Sequence, residues 1–156
     1  MNVAFFLLPK KEVIYLKPSS TMRQALEKME YHRYTAIPII GETGKYLGTI
    51  TEGDLLWKIK NTPDFTFEDS EKILIQEVPR HIRNKPVNIN AEIEDLISLI
   101  ILQNFVPVVD DYQVFIGIIR RAEIIQYCCK DKSQKLTRID SVKGYMDSEK
   151  HILNCV

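Results

Sequence analysis

The residues best suited by type and spacing to bind something are Gly48-x-Ile50-Thr51-x-x-Asp54. A β-branched stretch leads into Thr51 and a helix-forming stretch leads out, so Thr51 stands where strand meets helix. A Thr followed three residues later by an acid resembles a capping box, which needs no ligand. The same geometry also suits one. A helix N-terminus offers unpaired N–H groups and a positive dipole end to a phosphate. The Thr hydroxyl can add a hydrogen bond, and a carboxylate one turn later can accept from both hydroxyls of a ribose. The two readings are compatible.

Other motifs carry less. Gly44-Lys45-Tyr46 is similar to the end of a phosphate-binding loop, but Tyr46 stands where Ser or Thr would hold magnesium, so a hairpin turn is expected. Arg80-His81-Ile82-Arg83-Asn84-Lys85 is locally basic, either a solvated face or a phosphate contact. His32, His81 and His151 lie far apart in sequence, and no metal site is expected. The vicinal Cys128 and Cys129 read as packing rather than redox chemistry. Neither an activated nucleophile nor an acid–base pair is visible, so no catalysis is expected.

These motifs sit in a chain that repeats itself. Pro38 and Pro107 lie 69 residues apart, as do Gly48 and Gly117. The first unit reads as strand Val13–Leu16, a helix capped by Ser19-Ser20-Thr21 with apolar Met22, Ala25, Leu26 and Met29, a hairpin through Pro38 to Thr51, and a helix from Glu52 to Lys60. The second reads as strand Pro86–Ile89, helix Ala91–Gln103, hairpin Phe105–Ile119 and helix Arg121–Cys129. Each is β-α-β-β-α, with strands apolar on both faces, as suits a sheet covered by helices. The expected divisions are 1–61 for the first repeat, 62–79 for a linker with a short helix Glu71–Val78, 80–129 for the second repeat and 130–156 for an extension with no assigned role.

The duplicated unit, the Ile37-Pro38 and Val106-Pro107 strands and Gly48-Thr49-Ile50-Thr51-Glu52-Gly53-Asp54 together resemble a tandem CBS-domain pair, or Bateman module. The resemblance implies an α/β (α+β) fold with two repeats about a pseudo-two-fold axis. It also implies a non-catalytic regulatory module that binds an adenosine nucleotide (AMP, ADP or ATP) between the repeats and signals by conformational change to a regulated protein not identified. One cleft would use Thr51 and Asp54 with Lys85, Pro86, Val87, Asn104, Phe105 and Val106. The other would use Arg120 and Glu123 with Val13, Ile14, Tyr15, Thr35, Ala36 and Ile37. There the pattern departs from the family: Arg120 replaces Thr and Glu123 replaces Asp. Arg120 either binds phosphate through its planar fork or pairs with Glu123 and fills the cleft. Cyclic di-AMP, S-adenosylmethionine and a structural dimerisation module with degenerate sites are the alternatives. The resemblance further implies a homodimer, for which Leu96, Leu99, Ile100, Ile124 and Ile125 are candidate contacts.

Composition narrows the partners. The 156 residues are 45% hydrophobic and 27% charged, with 21 basic side chains against 21 acidic ones. That describes a folded globular chain, and a net charge of zero gives no long-range attraction to nucleic acid or anionic membrane. The three cysteines make a poor disulfide framework, and no export signal or membrane-length apolar run is read. A cytoplasmic protein is expected.

Overall fold

The computed structural model describes residues 1–130. Residues Met1–Arg121 form one compact unit, and a second begins at Ala122 with the helical stretch 122–130. Beyond Lys130, the expected extension lies outside the described residues.

The first repeat contains α1 (Met22–His32), β2 (Ala36–Ile40), β3 (Tyr46–Thr51) and α2 (Glu52–Lys60), preceded by a short strand β1 (Leu8–Pro9). The second contains β4 (Val87–Asn88), α3 (Ile93–Ile100), β5 (Phe105–Val109) and β6 (Phe115–Arg120). Thr21 caps α1 in a reciprocal box with Gln24. β2 and β3 form one antiparallel hairpin, β5 and β6 the other, each with a register shift at the corresponding place, Ile39/Ile40 and Val108/Val109. β4 runs parallel to β5, giving a four-stranded sheet in the order β1-β6-β5-β4.

The symmetry shows where residues meet their own counterparts 69 positions away. Lys45 bridges Val114, Tyr46 stacks on Phe115 with ring centroids 6.3 Å apart, and Asn104 Nδ2 donates to Thr35 Oγ1 at 3.1 Å. A residue touches its own equivalent only at a two-fold axis. The axis therefore passes between the hairpins, where Val13, Ile40 and Phe115 pack together.

The repeats also exchange arms. The amide of Val3 donates to Ala91 and that of Ile93 to Met1, while Leu8–Pro9 pairs with β6, so the N-terminal arm lies on the second repeat. In the same way Met22 donates to Ile73 and Ile75 to Ser20, and Ile75 and Val78 are buried in the first repeat's core with Leu16, Met22, Ile37, Ile50 and Leu55.

Two expected elements and three expected contact residues differ. The strand Val13–Leu16 shrinks to one parallel bridge, Leu16 with Ile39. Pro38, next to Ile39 on β2, has no N–H with which to extend the ladder toward Ile14. The helix Glu71–Val78 is replaced by two 3-10 turns, Phe67–Glu71 and Ile75–Glu77, because Ile73–Ile75 is drawn out to pair with the start of α1. Finally, Leu96, Ile100 and Ile124 are buried within the chain and present no outer face.

Candidate functional site

Thr51 ends β3 and is the N-cap of α2. Its hydroxyl accepts from the Asp54 amide at 3.1 Å, and Asp54 Oδ2 accepts from the Thr51 amide at 2.9 Å and hydroxyl at 2.8 Å. Thr66 and Asp69 repeat this arrangement in an exposed turn, where Asp69 Oδ2 accepts from the Thr66 amide and hydroxyl, both at 2.8 Å. Capping thus accounts for one carboxylate oxygen of each Asp.

The other oxygen separates them. Asp69 Oδ1 faces solvent and Lys72 Nζ at 3.7 Å. Asp54, only 1% exposed, turns its Oδ1 to His81, accepting from the backbone amide at 2.9 Å and from ring Nδ1 at 3.0 Å. Burial alone would raise the Asp54 pKa, but the hydrogen bonds from His81 and Thr51 outweigh it and hold the carboxyl below its ordinary value. Asp54 is therefore ionised at neutral pH, and a carboxylate only accepts, so Nδ1 of His81 carries the proton.

The residues after His81 run along the first hairpin. Arg80 lies against Gly48 (φ +142°), and its Nη1 donates to the Leu47 carbonyl at 2.8 Å. A Cβ on Gly48 would stand 1.9 Å from that nitrogen. Tyr46 shares a hydrogen bond with Thr49 and donates to the Asn84 carbonyl at 3.2 Å; burial pushes its hydroxyl pKa up to about 12. Between Tyr46–Thr49 and Arg80, Arg83, Asn84 and Pro86 lies a cavity of about 610 Å³ with no carboxylate in its lining.

The expected site residues are distributed unevenly. Lys85 is tied through both backbone groups to the buried Gln103, at 2.8 and 3.2 Å, and Val87 is paired in β4, so this segment is fixed against β5. Asn104 spans the axis: it donates to Thr35 and accepts from Arg121 Nη2 at 2.6 Å. The carbonyls of Thr35 and Asn104 take up the first amides of the two following helices, Glu52 and Arg121. Ile37 is buried in the first repeat's core, and Phe105 and Val106 are also buried, so these side chains belong to packing. Ala36, half-buried, opens β2. Ile14 and Tyr15 line a separate groove of about 590 Å³ against α1, and Thr35 lines a third of about 700 Å³ with Glu52 and Gly53. Arg120 closes β6 and is exposed, whereas Glu123 lies in the helical stretch of the second unit.

Sequence reasoning missed His81 on Asp54, Arg80 on Gly48 and Gln103. The basic run 80–85 was the available signal for the first two. Among the described residues there is no group of three or more His, Cys, Asp or Glu side chains placed to hold a metal, and no helix long and apolar enough to cross a membrane.

The family model for the CBS domain matches residues 7–61 and again 75–130. Cyclic di-AMP receptor B of Bacillus subtilis is 26% identical over 130 residues, covering 80% of this chain and 84% of that protein. A conserved hypothetical protein of Geobacillus kaustophilus has the same fold, with a TM-score of 0.75 at 26% identity over 84% of this chain and 98% of that one. CBSX2, solved in complex with AMP, gives 0.68 at 22% identity over 84% and 98%. The chain spans 58%, 84% and 63% of the lengths of three curated relatives that it matches. With both repeats matched and the fold shared, the chain belongs to the CBS-domain family and carries two CBS domains in tandem.

Proposed function

We propose that this chain is a non-catalytic regulatory module that binds an adenosine nucleotide, AMP, ADP or ATP, at the cleft built on Thr51 and Asp54. The observation that carries this reading is the Asp54 carboxylate. It is buried and ionised at the N-terminus of α2, with one oxygen beyond those the cap requires. The helix end supplies the positive potential that a phosphate needs, and Arg80 and Arg83 add local charge that the neutral chain as a whole lacks. The complex of CBSX2 with AMP supports the ligand class. Cyclic di-AMP is the second reading, favoured by the likeness to cyclic di-AMP receptor B over most of its length.

A ligand changes the balance of conformations only through its different affinity for each. Exposed apolar residues on the helices, Leu56 and Trp57 on α2 and Ile97 on α3, would join two copies into a homodimer through which the signal passes. The regulated protein would read that change.

A thermal-shift panel of AMP, ADP, ATP, S-adenosylmethionine and cyclic di-AMP tests the reading. A true ligand at about 100 times its Kd adds about 2.7 kcal/mol of stability. Asp54→Ala should weaken binding about tenfold or more, because hydrogen bonds to a charged group are the stronger kind. Absence of a shift with every adenosine compound would overturn the proposal.

A further inference from the structure

The Asp54 oxygen left over from capping is held in this structure by the chain itself. His81 brings two donors to Oδ1, its amide and Nδ1, at 2.9 and 3.0 Å. A ribose also brings two donors, its neighbouring hydroxyls. The exchange of one pair for the other leaves the buried carboxylate satisfied in both arrangements, which is the condition for two states of similar stability, since an unpartnered buried charge is strongly disfavoured.

The segment carrying His81 is built to move between fixed ends. On one side Val78 is 3% exposed in the first repeat's core. On the other, Lys85 is bonded through both backbone groups to Gln103. Residues 79–83 between them are exposed and without regular structure, and the His81 side chain is 58% exposed. Few buried contacts and a solvent-exposed backbone mark a stretch that opens at little cost. What holds it down is His81 on Asp54, the bond from Arg80 to the Leu47 carbonyl and, at its far end, the bond from the Tyr46 hydroxyl to the Asn84 carbonyl.

We propose that residues 79–84 form a displaceable strap, and that His81 competes with the nucleotide's ribose for Oδ1 of Asp54. This rests on the nucleotide reading above and adds its regulation: the occupied site and the seated strap exclude one another, so the strap's release is the conformational change that binding produces. The apparent affinity is then the intrinsic affinity reduced by the fraction of molecules whose strap is open.

Two measurements test it. In calorimetry with AMP and with cyclic di-AMP, His81→Ala removes the ring donor and should tighten binding of the cognate nucleotide by about tenfold. In the unaltered protein, hydrogen exchange of the amides of residues 80–84, His81 above all, should quicken at saturating nucleotide. Unchanged or weaker binding by His81→Ala, or exchange that stays the same or slows, overturns the strap while leaving the nucleotide reading intact. If neither nucleotide binds the unaltered protein or the variant, the nucleotide reading fails and the strap with it.

Discussion

The two repeats share a backbone scheme almost position for position and differ along one edge. At Gly117 the neighbour is backbone: β1 lies across β6 with Pro9 opposite Gly117, and a Cβ there would stand 2.1 Å from the Leu8 carbonyl oxygen. At the equivalent Gly48 the neighbour is the Arg80 side chain. The second repeat has thus closed its edge with a strand, while the first has covered its edge with a guanidinium and an irregular segment. A strand partner is difficult to dislodge; a side chain can swing away. The half that keeps Thr and Asp at the helix start is also the half whose edge is loosely covered.

The glycines give the largest test of that contrast. Gly117→Ala must push the N-terminal arm off β6, an overpacking cost of about 3 kcal/mol, whereas Gly48→Ala meets only a mobile side chain plus the strain of its positive φ, about 1–2 kcal/mol. Urea unfolding of both variants checks the order, and combining Gly48→Ala with Arg80→Ala should cost no more than the strain alone. Equal losses for the two glycines would erase the contrast.

Acid provides the next test. Because the folded Asp54 pKa lies below its ordinary value, its stabilisation is fully present above the unfolded pKa near 3.8 and is lost as pH falls through the folded value. Asp54→Asn should flatten the acid limb of the stability profile below about pH 4. Asp69, also depressed through its bonds from Thr66, lies on the surface and should contribute a smaller part of that limb. A profile unaffected by Asp54→Asn would mean that the carboxylate is not held as the structure shows.

The smallest effects belong to the axis. Asn104→Ala removes bonds to Thr35 and Arg121 and should cost about 1 kcal/mol, while Thr35→Ala removes one exposed bond and should cost about 0.5 kcal/mol. The double variant, measured by the same unfolding curves, should cost less than the sum, since both remove the shared bond.

The fold was legible because a duplicated backbone leaves two copies of each landmark, and the constant spacing of Pro38 with Pro107 and Gly48 with Gly117 carried the rest. Thr51 and Asp54 were legible because a cap has local spacing. The partner of Asp54 was not. His81 reaches it from an irregular segment whose path is set by anchors at Val78 and Gln103, and no periodicity records such a path. Likewise the resemblance places Ile37 and Val106 at the cleft, while the burial of both side chains depends on which way each strand faces, which the prolines beside them do not record.

The exchanged arms have a consequence for how the chain is made. Leu8–Pro9 is synthesised about a hundred residues before its partner β6, which comes from residues Phe115–Arg120. Until β6 emerges from the ribosome the arm has no strand to join, and the second sheet keeps an unpaired edge. Neither half can finish folding before the other exists. Cutting the gene between residues 61 and 62 would therefore give two fragments, each lacking an arm carried by the other, that need mutual complementation to fold.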